Sequence, residues 1–381
     1  MSSFKISRSN ALKCMNHVIG SSDKTDDLID FVNYTKIEIK DNIATFYTTN
    51  LDMESSCSCV VESDSNFSFL APIQNISNIT KKLSEKSEIS FTVSKSESEN
   101  MSLKIQSGNF KFDVSISSEK SFPSMAGDTY ESNFKIKPKD LVEAIEKTKF
   151  SISNDESRYN LTGLMIHCEN KNINFVSTDG HRLSVVTLKN QDIADFASII
   201  VPKKSIIEIA KIASSTSEEE LDIKFSKSGK LSISTKDSRF TTKLINGTFP
   251  DYKRVIPANG DKTLKTKSID LLRALNLVSG VGGDIGAGLE LKISFDKIEI
   301  SGKTDVFSSS ESIPCEFSSQ EIFCVKYNHK YMTEALSACG SGSNCIMKFS
   351  NIESPVLLSC SEDGNDKSSI EAVFVIMPLK N

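Results

Sequence analysis

Ser177-Thr178-Asp179-Gly180-His181-Arg182-Leu183-Ser184-Val185 is the stretch on which the fold turns. Ile173-Asn174-Phe175-Val176 precedes it and Leu183-Ser184-Val185-Val186 closes it, both with strand-like composition. Asp179-Gly180 between them is the strongest short-range hairpin signal, because a type I′ turn needs φ > 0 and Asp-Gly tolerates it. The plain reading is a tight hairpin near the middle of a β-rich protein, and on these residues alone it is favoured. The sharper reading is that the turn presents His181 and Arg182 beside a fixed backbone.

Working outward, 381 residues are too many for one small core, and about 100–200 residues per domain gives two to four domains. Residues 1–20 hold no long apolar segment, so no secretory leader is expected. No apolar run approaches the roughly 20 residues that span a bilayer, so no membrane partner is expected either. The nine cysteines include no CxxC pair. Cys57-Ser58-Cys59 has the wrong spacing for a zinc knuckle, and Cys339 and Cys345 lack a histidine-rich companion. Reduced, buried thiols in a cytoplasm follow, with no metal site and no cofactor. The formal net charge of −5 argues against a basic nucleic-acid binder, unless positive charge is concentrated locally.

Internal repetition supplies the architecture. Phe122-Pro123 follows the alternating run 110–116, and Phe249-Pro250 follows another at 240–245. The two pairs lie 127 residues apart, which is one third of the chain. Each third opens with a helix-like segment, at 7–19, 138–150 and 268–279. A second helix comes mid-unit, at 72–83, 202–213 and 328–339, with Pro72, Pro138 and Pro202 suited to first helical turns. Period-two strands fill the rest. The fold class is α+β: three repeated modules over 1–127, 128–252 and 253–381, each with two helices packed on antiparallel sheets. Turn-rich joins at 124–132 and 251–263 separate them. The glycine-rich segment 281–288 follows a helix and precedes a strand, the reverse of a phosphate cradle, and reads as a loop.

Charge is segregated. Counted with their flanking residues, over 7–19, 71–84, 137–150, 202–213, 267–279 and 326–340, the six helix-like segments sum to +9, which leaves −14 on the remainder of a chain whose total is −5. Any one segment fits an ordinary solvated helix face. Six of six fit better a shared surface turned to a polyanion, with sequence-independent phosphate contacts. The candidates are Lys24, Lys81, Lys82, Lys147, Lys149, Lys203, Lys204, Lys211 and Arg273. Recognition helices, zinc fingers and aromatic platforms of the kind that read sequence are not seen.

With these features in hand, the chain resembles the bacterial DNA polymerase III beta subunit family, the sliding clamps. The matching motifs are Thr178-Asp179-Gly180-His181-Arg182-Leu183, Leu161-Thr162-Gly163, Val201-Pro202-Lys203-Lys204, Phe249-Pro250-Asp251-Tyr252-Lys253-Arg254-Val255 and Val375-Ile376-Met377-Pro378-Leu379. The resemblance runs nearly end to end. It implies a head-to-tail homodimer closed as a ring around double-stranded DNA. It also implies a processivity role and partners that include the polymerase III catalytic subunit, the clamp loader and other clamp-binding-motif proteins. Its partner-peptide pocket maps onto Leu161, Thr178, Gly180, His181, Arg182 and Leu183. Pro250, Arg254 and Val255 map to the linker side, and Val375, Ile376, Met377, Pro378 and Leu379 to the floor. For the dimer interface, Phe112 and Val114 are paired with Leu277 and Val278. Three places depart from the family pattern. Residues 20–30 lack the usual Arg-Pro motif, 154–157 are acidic, and the third module's first helix runs into 281–288.

Three other readings compete. An enzyme built on His181 needs a second positioned group and a cleft. His17, His167 and His329 form no HxH or HExxH pattern, and no Walker A sequence, nucleophile elbow or paired metal carboxylates occur, so no catalytic residue is expected. A non-encircling nucleic-acid-binding scaffold is the remaining alternative to a ring. A repetitive β-rich adhesion protein fits the serine content but not the basic helices.

Overall fold

The computed structural model describes residues 2–22, 31–95, 101–117, 122–125, 127–258, 260–280, 288–304, 308–340, 342–362 and 369–380. Lys24, most of the 20–30 loop and 281–287 lie outside them. Helix, strands, helix, strands recurs three times, as the repeat predicts. The helices are α1 (Arg8–Val18), α2 (Ile73–Lys82), α3 (Pro138–Glu146), α4 (Lys203–Ser215), α5 (Ser268–Gly280) and α6 (His329–Cys339).

Two local readings change. A strand precedes the first helix of each module, namely Ser2–Ser7, Ser132–Ile136 and Lys262–Lys267. These strands are short and lie against the helix starts and the turn-rich joins, so each third reads in sequence as opening on its helix. Pro72 and Pro202 close strands rather than open helices, which start one residue later. Pro138 alone of the three is the first residue of its helix. Caps account for several boundaries. Ser7 Oγ accepts the Asn10 amide of α1 at 3.3 Å, and Asn328 Oδ1 accepts the Lys330 amide of α6 at 2.9 Å. Each such cap contributes about 1 kcal/mol.

The chain forms two compact units, one of residues 1–138 with 207–244, the other of 139–206 with 245–381. In the first, a five-stranded sheet ends on Phe110–Ile116. An eight-stranded sheet joins first-module strands to second-module strands through Met53–Val60 and Ser238–Lys243. Its core packs Ala11, Cys14, Met15 and Val18 of α1 against Phe46, Cys57, Phe69 and Phe91. In the second unit, a nine-stranded sheet joins second- and third-module strands through Arg182–Leu188 and Ile370–Ile376. A four-stranded sheet there ends on Ser308–Pro314. Leu271, Leu275 and Val278 of α5 and Met332 and Leu336 of α6 cover the core face.

The repeat reaches down to single hydrogen bonds. Ser21 and Ser55 share a buried one of 2.6 Å, and Ser151 and Ser184 one of 2.7 Å. The Thr48 hydroxyl donates to the Val18 carbonyl, as Ser177 donates to Thr148 at 2.6 Å. Equivalent positions lie 129 or 130 residues apart, slightly more than the 127 read from the Phe-Pro pairs.

The cysteines also differ from expectation. Cys339 at the end of α6 and Cys360 are joined as a disulfide with Cα atoms 5.6 Å apart, while the other seven are free. Their sequence separation of 21 matches no spacing pattern, and only the packing of α6 on its sheet brings them together.

Candidate functional site

The Thr178–Leu183 hairpin forms as read, with Thr178 opposite Leu183 and Ile173 opposite Leu188. Its turn is not type I′, because only Gly180 has positive φ, +89°. A Cβ at Gly180 would also sit 2.7 Å from the Arg158 guanidinium. Asp179 sets the geometry instead. Its Oδ1 accepts the backbone N–H of His181 at 2.9 Å and of Arg182 at 3.1 Å. Positive φ at both turn positions occurs at Asp41-Asn42 and Asn170-Lys171, neither containing glycine.

Strand alternation then sorts the sequence-derived pocket residues onto two faces. Leu161, Leu183 and Val375 share a buried cluster with Met165, Val176, Val185, Ile200, Phe249 and Tyr252. Ile245 and Ile256 of the 245–256 linker pack against it, so this is the linker face of the sheet. Thr178 lies opposite Leu183 and is half-buried, its hydroxyl donating to the Arg182 carbonyl at 2.6 Å. Met377 extends the ladder, its N–H donating to His181 O at 2.9 Å, and is 39% exposed. Gly180, His181, Pro250, Arg254 and Val255 are exposed. Pro378 and Leu379 are half-buried, and with Met377 they line a cleft of about 580 Å³ beside Ile352 and Val325.

Arg182 and Ile376 face the other way. Ile376 belongs to the core under the helices. The Arg182 side chain is 8% exposed and donates to Asp179 Oδ2 at 3.0 Å, to Glu334 of α6 and to the Phe150 carbonyl. It also lies 4.4 Å over the Tyr331 ring. Its guanidinium therefore joins the hairpin to α6.

The nominated basic residues divide as sharply. Lys147 pairs with Glu143 at 2.7 Å, Lys149 with Glu146 at 2.6 Å, Lys211 with Glu208 at 2.6 Å and Arg273 with Glu311 at 3.7 Å. Lys203 donates to Asn154 Oδ1 at 2.8 Å, and burial, then the Arg182 charge, lowers its pKa. Lys81, Lys82 and Lys204 are exposed and, among the described residues, form no ion pair.

Of the expected interface residues, Phe112 and Val114 are half-buried on the end strand Phe110–Ile116. Leu277 is 51% exposed, whereas Val278 is packed in the core. The linker-face residues that sequence reasoning missed include His167, Phe249 and Tyr252. Phe249 and Tyr252 stood inside a quoted motif, and their apolar rings were the available signal.

Three successive clamp domains define the class of protein. Family models of the DNA polymerase III beta subunit match its N-terminal domain at residues 2–126, its central domain at 135–251 and its C-terminal domain at 253–379. The chain is 31% identical over 358 residues to the beta sliding clamp of Rickettsia felis, with 91% of each chain covered. A C. crescentus beta sliding clamp matches with a TM-score of 0.91 at 25% identity, over 100% of this chain and 99% of that one. A DnaN sliding clamp from Bartonella birtlesii, solved bound to griselimycin, matches with 0.89 at 25% identity over all of both chains. The chain belongs to the DNA polymerase III beta subunit family, and its role is that of a sliding clamp in DNA replication.

Proposed function

We propose that two copies of the chain meet head to tail, close as a ring around duplex DNA, and hold partner peptides on the linker face. One observation carries the ring. Each internal join between modules is a strand pair, Met53–Val60 with Ser238–Lys243 and Arg182–Leu188 with Ile370–Ile376. The corresponding strands left over are Phe110–Ile116 and Ser308–Pro314, each ending its sheet. Open edges of this length invite pairing, and two different edges make a heterologous contact, the kind that generates a ring when the rotation between copies closes. Phe112, Val114 and exposed Leu277 are our interface residues; Val278 packs in the core of its own unit, its carbonyl accepting from Ser309 Oγ at 2.8 Å.

Lys81, Lys82 and Lys204 are our leading phosphate contacts. Lys147, Lys149, Lys203, Lys211 and Arg273 join them once their local partners release them. The modules keep the boundaries 1–127, 128–252 and 253–381.

For the pocket, a partner Leu or Phe set against Leu161, Leu183, Val375 and Met377 contributes about 1.5–3 kcal/mol. A few such anchors give roughly micromolar affinity, about −8 kcal/mol, which lets partners exchange. We assign griselimycin to the same surface. Partners are the polymerase III catalytic subunit, the clamp loader and other proteins with a clamp-binding motif. The protein acts as an accessory factor in the cytoplasm, without chemistry of its own, and an ATP-driven loader opens it.

The test is retention on nicked circular DNA, followed by linearisation, with sedimentation at several concentrations. A ring stays on the circle and slides off the linear form. Equal retention on both, or a monomer at every concentration, overturns encirclement.

A further inference from the structure

We propose that His167 is a positioning residue for the partner-peptide surface, holding the wall of that surface in place through Tyr252. The inference rests on the linker-face reading above. His167 and Glu169 are two residues apart on the strand Gly163–Glu169, so both side chains leave the same face. His167 Nε2 lies 3.0 Å from the Tyr252 hydroxyl, with ring centroids 5.9 Å apart. Glu169 accepts from Lys253 Nζ. Alternate residues of one strand thus grip consecutive residues of the linker.

The two grips differ in strength. Lys253 and Glu169 are about half exposed, and such pairs contribute little. The His167–Tyr252 contact is more sheltered, with Tyr252 8% exposed and its ring inside the cluster of Leu161, Leu183 and Val375. Burial, then the Lys253 charge, lowers the His167 pKa, and burial raises that of Tyr252. At neutral pH the phenol keeps its proton and the imidazole is neutral, so each can complete the bond.

The chain beyond Tyr252 gives the contact its consequence. Tyr252–Arg254 is a single helical turn, closed by the Val255 N–H donating to the Tyr252 carbonyl at 3.1 Å. It presents the Arg254 side chain, 85% exposed, and Val255, 48% exposed. Their aim is set by where Tyr252 is held. A cavity of about 690 Å³ between Pro250–Lys253 and the strands bearing His167 and Phe196 gives the turn room to shift once released.

The experiment measures the affinity of a fluorescein-labelled peptide carrying a Leu-Phe pair, by anisotropy on the full-length protein. His167→Phe keeps the ring and removes the hydrogen bond, and Tyr252→Phe removes it from the other side. Each is expected to weaken binding about three- to tenfold, the effect of one hydrogen bond. The double variant should be no weaker than either single one. His167→Gln, which can place an amide near Nε2, should restore at least half of the loss, as a purely packing role would not. Backbone amide exchange at Arg254 and Val255 in the peptide-free protein should quicken in His167→Phe. If the wild type binds and both Phe variants bind within twofold of it, positioning by His167 is wrong while the pocket stands. If the wild type does not bind, the pocket reading fails and this inference with it.

Discussion

Leu183 and Val375 stand directly opposite each other on the linker face, while the neighbouring pair, Arg182 and Ile376, points into the helix side of the same sheet. Met377 continues the linker-face series and is 39% exposed, so it has surface left to bury. Met377→Ala should weaken the Leu-Phe peptide about tenfold, the value of one methionine side chain newly covered. Its melting temperature should stay within about 2 °C of wild type, because little of the fold rests on an exposed side chain. Anisotropy and calorimetry on the same preparation check both halves.

Arg182→Ala should behave in the opposite way. Its guanidinium bonds Asp179, Glu334 and the Phe150 carbonyl and covers the Tyr331 ring. Removing it leaves two carboxylates without their partner, Asp179 at 15% exposure and Glu334 at 31%. Removing one partner of a fully buried pair costs more, but solvent screens Glu334, so about 2–4 kcal/mol is expected. Urea unfolding should show the loss as a lowered midpoint. An unchanged midpoint would mean that the guanidinium contributes nothing to holding the hairpin on α6.

The contrast marks how far the residues could be read in advance. Helix order and the hairpin at Asp179-Gly180 come from local pattern, and the structure has them. Basic character holds for α1, α2 and α4; α3 carries Lys139 against Asp140, Glu143 and Glu146, and α5 and α6 balance, because the lysines counted for them lie beyond the helix ends. The split of Arg182 from Leu183 was also local, since alternation along one strand separates them, yet a contiguous motif hid it. Glu334 and Tyr331 could not be found that way, because they lie some 150 residues on and are brought in by folding. The His167–Tyr252 contact and the Cys339–Cys360 bond are long-range in the same sense. Lysine counting had a similar limit: it gives the net charge of a stretch but not where the helix ends or which ammonium groups are already paired.

Salt dependence separates those lysines. Lys81→Ala, Lys82→Ala and Lys204→Ala should each lower the slope of log affinity against log salt by about 0.9 if each ammonium meets one phosphate. Glu143→Gln and Glu146→Gln should steepen the slope, because they release Lys147 and Lys149 from ion pairs of 2.7 and 2.6 Å. Affinities over a salt series on a short duplex give both. A slope unmoved by all three alanine variants would take these helix ends off the DNA surface.

The disulfide can be counted. Denatured without reductant, the protein should show seven reactive thiols, and nine after reduction. Closing a loop of this length restricts the unfolded chain enough to contribute about 3 kcal/mol, so reduction or Cys339→Ser should lower the unfolding midpoint. Nine thiols before reduction would show the bond open in solution.

Acid should weaken the fold before the carboxylates titrate. Burial lowers the pKa of His17, His167 and His329, with the Lys13 charge adding at His17 and Lys253 at His167. His17 Nε2 is buried and, among the described residues, has no hydrogen-bond partner, so a proton there would be poorly placed. Because the folded values lie below the unfolded value of about 6.5, the unfolded chain holds more protons between them. The stabilisation is therefore complete above pH 6.5 and is lost as pH falls from there through the folded values. Carboxylates held low by lysines, such as Asp237 beside Lys13, add their own loss only at lower pH, below their ordinary value of 3.8. The unfolding midpoint should decline between pH 7 and pH 5, and His17→Gln should flatten that decline. A flat profile over this interval in the wild type would mean that the three imidazoles take up protons as readily folded as unfolded.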